Sequence, residues 1–431
     1  MTKLLYLVLS FCLITDSLMA QHLNKTERRI LDRVGQNHEA ALTFLEQVVN
    51  MNSGTLNQAG VRAVGQVFET EFNAIGFDTK WIDMPEKMNR GGHLFAETKG
   101  DKGKRLLLIG HLDTVFEEDS PFQKWELNDT IAYGPGTVDM KGGDVVMLYG
   151  LKALNELGLL KNAQIIVALH GDEERTGKPI DISRRDIIEA AKRSDIALGF
   201  EPSSGYNLAT VARRGSSSWQ LEVKGKRAHS SRIFSEKTGA GAIFEASRIL
   251  HEFYVQLSEE ELLTFNPGMI LGGTFVNYDQ KESRGDAFGK NNVVAQTVTV
   301  TGGLRFITEE QKESARKRMK KIVDQNLPHT SATISFIDSY PSMKPTEGNY
   351  SVLRVLDQVS RDMEQGEVLA YDPGKRGAAD ISFVAEYIDG LDGLGTMGGG
   401  SHTPEEYLNL TTFEDLTIRT ALLIYRLINM K

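Results

Sequence analysis

Five residues of types that bind divalent metals, His111, Asp139, Glu174, Glu201 and His402, stand in this sequence where a fold could gather them. Each of the first four follows or closes an apolar, strand-like run. The fifth lies beside the glycine run Gly398–Gly399–Gly400. Two imidazoles and three carboxylates could hold a pair of divalent cations, and Glu173 beside them could serve as a base. That combination points to a hydrolase.

Each segment also has a plainer reading. In Leu106-Leu107-Leu108-Ile109-Gly110-His111-Leu112-Asp113, a strand delivers His111 to a sheet edge, and the Asp113 carboxylate could accept its second ring N–H. Alone, it is equally a surface histidine in a strand-end turn. Tyr133–Gly143 is bent by Gly134, Pro135 and Gly136, so Asp139 sits on a constrained backbone path. Its carboxylate could bridge two cations or merely precede a helix. Asp172-Glu173-Glu174 puts three acids in a row at a strand end. Cations would offset their repulsion, and a solvated acidic loop is the alternative. Glu201 directly follows the apolar Ile196–Phe200 run, where a carboxylate needs a charged or polar partner. His402 by itself could belong to a surface loop.

The elements that must position these residues are legible as patterns. Helical spacing runs from Thr26 to Val49, from Val61 to Ile75, from Asp144 to Leu157 and from Ile187 to Lys192. Short apolar runs at Arg105–Ile109, Gln164–Leu169 and Ile196–Phe200 read as strands between them. This alternation predicts a mixed, largely parallel sheet flanked by helices, with the site beyond the strands' carboxyl ends. The pattern changes near Arg213. Ser217–Val223, Met269–Val276, Val293–Phe306 and Ala332–Ile337 read as strands, and Ala240–Gln256 and Glu309–Asn326 as helices. That order predicts an inserted α+β, ferredoxin-like domain over 213–339, between catalytic segments 21–212 and 340–431. From Tyr350, through Phe383–Tyr387 and Phe413–Leu427, the helical pattern returns.

A length of 431 residues suits two domains. The net charge of -9 gives no electrostatic reason for a nucleic-acid partner. Residues 1–20, with Lys3, the apolar Leu4–Ile14 run and Ala20, predict a secretory signal peptide and a secreted or periplasmic protein. No membrane association is then expected after cleavage; a retained N-terminal anchor is the alternative. Cys12 is the only cysteine, so a cleaved chain has no disulfide and no thiolate ligand.

Taken together, Gly110-His111-Leu112-Asp113-Thr114-Val115, Gly134–Gly143, Asp172-Glu173-Glu174, Gly199-Phe200-Glu201-Pro202 and Ser401–Glu406 resemble the M20 family of co-catalytic zinc peptidases, closest in pattern to glutamate carboxypeptidase. The family also includes succinyl-diaminopimelate desuccinylases and aminoacylases. The resemblance implies a zinc-exopeptidase-like fold with a lid that dimerises, and two Zn²⁺, with Co²⁺ or Mn²⁺ also suited to the ligands. It implies that Asp139 bridges the metals, that His111 and Glu201 complete one site and Glu174 and His402 the other, that Glu173 is the general base and that Asp113 orients His111. It further implies a cis peptide bond after Asp139, a His229 that reaches the partner's active site in a homodimer, and substrate contacts from Arg305 and Asn292. Arg213 is a second candidate for clamping a substrate carboxylate. The expected substrates are small peptides or N-acyl amino acids, with release of a C-terminal amino acid favoured because Glu201 is a glutamate. A deacylase or dipeptidase is the alternative, and a non-catalytic binding protein on the same fold the out-of-class rival.

Overall fold

The computed structural model describes residues 23–430, so the expected signal peptide lies outside the described residues. A six-stranded sheet runs in the order Asp78–Ile82, His93–Glu97, Ala163–His170, Lys102–His111, Ile196–Gly199, Asp389–Leu391. The last four strands are mutually parallel, and the first two are added antiparallel. Leu106, Leu107, Leu108 and Ile109 are buried on both faces of the sheet, which is why that strand is continuously apolar. Helices Lys25–Val49, Lys141–Glu156 and Phe413–Ile428 share the core on one face. The short helix Arg185–Ala191 covers part of the other.

The first helix starts at Lys25, one residue before the sequence pattern. Asn24 caps it by accepting from Thr26 N and Glu27 N, and Glu27 returns a bond to Asn24 N. This reciprocal box satisfies donors that the first turn would leave bare. Its last turn is closed by a buried lysine. Lys141 Nζ donates to Val48 O at 3.0 Å and Met51 O at 2.8 Å, placing a cation at the negative end of the helix.

A second sheet has the order Thr264–Gly273, Thr297–Phe306, Gly215–Gly225, Thr330–Asp338, all antiparallel. Helices Gly241–Leu257 and Glu309–Val323 cover one face, and Trp219, Phe253, Leu304 and Phe306 fill the core between. This is the βαββαβ order of a ferredoxin-like unit. Its other face carries Ser218, Gln220, Thr301, Ser335 and Arg305, which register brings side by side.

Three expectations are corrected. The predicted strand Met269–Val276 ends at Gly273, and a hairpin of Phe275–Asp279 with Arg284–Phe288 follows. The carbonyl of Phe288 sits 2.4 Å from where a Cβ of Gly273 would be, so only glycine lets the hairpin fold back there. The strand expected from Val293 begins at Thr297. Phe383–Tyr387 is not an α-helix: a single 3₁₀ turn, Asp380–Phe383, stands there, with Asp380 drawn to Arg184. A four-stranded sheet of Gly398–Gly399, Tyr407–Asn409, Ile131–Tyr133 and Glu126–Asn128 was not anticipated. Strands of two or three residues carry no readable period.

Asp144, in the first turn of Lys141–Glu156, is wholly buried, and neither carboxylate oxygen has a hydrogen-bond partner among the described residues. Burial pushes its pKa well above the usual carboxylate range. The unfolded chain releases that proton near pH 3.9. The stabilising contribution is therefore complete below that value and is lost as pH rises towards the folded pKa. Asp144→Asn is expected to raise the thermal midpoint at about pH 8 by roughly 2 °C or more, and by much less at about pH 4.5. Calorimetry giving equal shifts at the two pH values would rule this out.

Candidate metal centre

The carboxyl end of the central sheet carries the site. His111 closes the strand Lys102–His111. Glu173 and Glu174 follow Ala163–His170, and Glu201 follows Ile196–Gly199 after one residue. The remaining two residues come together through the small four-stranded sheet. Ile131–Tyr133 leads towards Asp139, Gly398–Gly399 and Tyr407–Asn409 flank the turn bearing His402, and Ile131–Tyr133 pairs with Tyr407–Asn409. Gly398 must be glycine for this, because a Cβ would lie 1.8 Å from Tyr407 O.

The five residues form two overlapping groups, His111–Asp139–Glu201 and Asp139–Glu174–His402; within each, the candidate ligand atoms all lie within 4.8 Å of one another. Asp139 belongs to both. Its Oδ1 is 3.4 Å from His111 Nε2, and its Oδ2 is 3.3 Å from His402 Nε2. Glu201 Oε1 stands 3.9 Å from His111 Nε2, and Glu174 Oε2 3.1 Å from His402 Nε2. The Asp139–Met140 peptide bond is cis, as the resemblance implies. His402 itself adopts a left-handed backbone at φ 65°.

Electrostatics shows what such a cradle lacks. Burial raises Glu201 to about 8, with Asp139 adding to the rise. Burial, then the Glu201 charge, pushes Glu173 well above its ordinary value, and burial raises Glu174. His402 is raised to about 11 by its bonds to Asp139 and Glu174. Burial opposes a charge on His111, but Asp113 and Asp139 outweigh it and raise its pKa. Among the described residues, His111 Nε2 and Glu174 Oε1 are buried and have no hydrogen-bond partner. An all-nitrogen-and-oxygen set with surplus acid and orphaned donor atoms fits divalent cations.

Residues around the cluster hold it in place. The Asp113 carboxylate was expected to orient His111. Instead, Nδ1 of His111 lies 3.0 Å from the Asp113 main-chain carbonyl and 3.5 Å from its carboxylate. The carboxylate oxygens accept from Glu173 N at 3.0 Å, Glu174 N at 3.2 Å and the Thr55 hydroxyl at 2.6 Å. Asp113 therefore anchors the acidic loop. Glu406, which sequence reasoning passed over, accepts from Val138 N and Asp139 N at 3.0 and 3.1 Å. Its position just before a two-stranded pairing gave no signal.

Asp172 is not part of the cluster. It turns away to a fully buried Arg184, which also binds Asp380, and Asp380 meets His170. These partners lie 12, 196 and 210 residues apart in the chain, beyond any local pattern. Arg213 also departs from the expectation of a substrate clamp. Its side chain is 4% exposed, bonded to Asp392 at 2.5 Å and to Gly377 O at 3.0 Å, with Nη2 4.0 Å from Glu201. Two buried carboxylates account for its charge. Arg305 lies on the polar face of the second sheet, where burial, and then the charge of Arg214, lower its pKa. His229 and Asn292 adjoin one another on an exposed edge, where Ser230 N donates to Asn292 O. Neither is bonded to the five clustered residues among the described contacts.

Comparison with known proteins agrees with this geometry. Residues 107–427 match the model of Peptidase family M20/M25/M40. The chain is 26% identical over 415 residues to carboxypeptidase G2 of Pseudomonas sp. (strain RS-16), covering 94% of this chain and 92% of that one. It is 26% identical over 306 residues to succinyl-diaminopimelate desuccinylase of Cupriavidus necator, covering 67% and 74%. Among solved structures it resembles aminopeptidase PepT from Bacillus cereus, with a TM-score of 0.73 at 17% identity over 91% of this chain and 99% of that one. A dinuclear metal-binding M20 peptidase from Bacillus subtilis matches with a TM-score of 0.65 at 14% identity, over 92% and 100%. The family match spans most of the chain and includes every residue of the cluster: this protein belongs to the M20 peptidase family, a metallohydrolase acting on amide bonds of peptides or acyl amino acids.

Proposed function

We propose that His111, Asp139 and Glu201 hold one divalent cation, that Asp139, Glu174 and His402 hold a second, and that the native ions are zinc, with cobalt or manganese also compatible. The observation that carries this reading is the division of Asp139, one oxygen towards each imidazole. When bound, such a pair of ions acidifies water and polarises the carbonyl under attack. Glu173 takes the proton of the attacking water and passes it to the leaving nitrogen. Its main chain is fixed by Asp113 for that task.

The substrate carboxylate is assigned to Arg305. Among the described residues no carboxylate contributes to its environment, and the adjacent Arg214 has only neutral acceptors, Thr264 and the Gly374 carbonyl. Two arginines without acids favour an anionic group on the substrate. With the likeness to carboxypeptidase G2, this favours release of a C-terminal amino acid. Deacylation of an N-acyl amino acid uses the same chemistry and the same clamp, in keeping with the desuccinylase likeness. A non-catalytic role is disfavoured by the presence of Glu173 and of all five candidate ligands. The exposed apolar residues Phe234, Ile243, Phe244, Tyr254, Val255 and Ile270 lie on the inserted unit. They suit burial against a second copy, whose His229 and Asn292 would then complete this copy's site. The signal-like pattern of residues 1–20 favours export.

Purified protein is expected to hydrolyse N-acyl amino acids or dipeptides, to lose activity on chelation and to regain it with Zn²⁺. Glu173→Gln is expected to cost about a hundredfold to ten-thousandfold in kcat while metal content stays the same. Activity that survives both treatments removes this reading. Arg305→Met is expected to raise KM by about tenfold for substrates with a free carboxylate and to spare their carboxamides; equal effects on the two would exclude the clamp. Sedimentation should give a dimer, and a monomer with full activity would remove the cross-subunit assignment of His229.

A further inference from the structure

The inserted unit joins the rest of the chain through two crossings. One passes Arg213 and the other Met343, and they are paired: Arg213 N donates to Met343 O at 2.9 Å, and Met343 N to Arg213 O at 3.0 Å. A little further into the unit, Ser216 N donates to Tyr340 O at 2.8 Å. Tyr340 is thus a residue of the hinge. Its side chain does not follow the hinge into the inserted unit. It points back under the acidic loop, its ring 4.9 Å from that of Phe383.

There the Tyr340 hydroxyl donates to the main-chain carbonyl of Glu173 at 2.7 Å. Having spent its one proton, it accepts from the Thr176 hydroxyl at 2.6 Å and from Arg184 Nη2 at 3.4 Å. Glu173 N is meanwhile held by the Asp113 carboxylate at 3.0 Å. The peptide that follows Glu173 is therefore held on both edges: its N–H, that of Glu174, donates to the Asp113 carboxylate at 3.2 Å, and its C=O accepts from Tyr340. The catalytic segment holds the two N–H groups on either side of the Glu173 side chain through Asp113, and the hinge of the inserted unit holds the C=O between them. A shift of the hinge would pull on the Glu173 carbonyl while Asp113 keeps both N–H groups in place, turning that peptide, and with it Glu173, relative to the cluster.

We propose that Tyr340 is a positioning residue for the base: its hydroxyl ties the Glu173 peptide to the hinge, so that the orientation of Glu173 depends on the position of the inserted unit. This rests on Glu173 being the base, as read above. Phe383 supplies the ring packing, so the hydroxyl can be removed without emptying the space. A displaced base costs the chemical step rather than substrate affinity.

The test is steady-state kinetics on the full-length, metal-loaded protein with a carboxyl-bearing N-acyl amino acid or dipeptide. Tyr340→Phe is expected to lower kcat by roughly tenfold, to leave KM within about twofold, and to retain two metals per chain by elemental analysis. Thr176→Val, which keeps the shape and removes the bond to the Tyr340 hydroxyl, should show the same kcat-only signature at about two- to threefold. It decides the matter if Tyr340→Phe fails to fold. A Tyr340→Phe enzyme with unchanged kcat, or one whose loss appears in KM or in metal content, overturns the proposal. Glu173→Gln is the control. If that variant stays active, the assignment of the base has failed; if it is inactive while Tyr340→Phe is normal, only the clasp has failed.

Discussion

Asp139 gives one carboxylate oxygen to each of two imidazoles that are 291 positions apart in the chain, and that shared contact is the constraint the fold must meet. A carboxylate can face two ways at once only if its backbone does not move. Here its amide and that of Val138 are held by Glu406, and the loop bearing it is tied to the end of the first helix through Lys141. Both supporting groups are buried ionisable side chains. Burial lowers Lys141 to about 7 and raises Glu406 to about 8, so the molecule accepts desolvation costs to keep one residue still.

The supporting layer also explains why a parallel sheet is a good base for such a site. Three of its strands deliver candidate residues to one edge: Lys102–His111 ends in His111, and Glu173, Glu174 and Glu201 follow shortly after Ala163–His170 and Ile196–Gly199. Adjacent parallel strands lie about 4.8 Å apart, near enough for side chains just past their ends to converge. The sheet cannot supply the other half of the cradle, because Asp139 and His402 belong to loops. The small antiparallel sheet solves that problem by pairing the stems of the two loops directly.

Much of this was legible beforehand because it follows from periodicity and residue type. The alternation of strands and helices gave the central sheet, and the change near Arg213 marked the inserted unit. Carboxylates and imidazoles at strand ends named the cluster. What escaped has a common physical character. Glu406, Arg184, Asp380 and Tyr340 act on residues far away in sequence, and nothing local distinguishes a buried charge that finds a partner from one that faces solvent. Asp113 shows the limit at short range: its carbonyl faces the imidazole while its carboxylate serves the neighbouring loop. The extra hairpin escaped because Gly273 breaks the strand by close backbone approach, which composition does not reveal.

The ionic group behind the acidic loop bears on how such a site keeps its geometry. Replacing a buried ion pair with apolar side chains is often neutral for stability, whereas removing one partner is costly. Stability therefore does not explain why Asp172, Arg184 and Asp380 are charged. Direction does. Arg184 has a planar, fixed set of donors, and here they are divided among Asp172, Asp380 and the Tyr340 hydroxyl. Those three acceptors come from the acidic loop, the turn before the last sheet strand and the hinge. An apolar plug could fill the same volume, but it would let the three segments slide past one another. A guanidinium with its donors committed on several sides does not, and the acid beside Asp172 in the chain is Glu173.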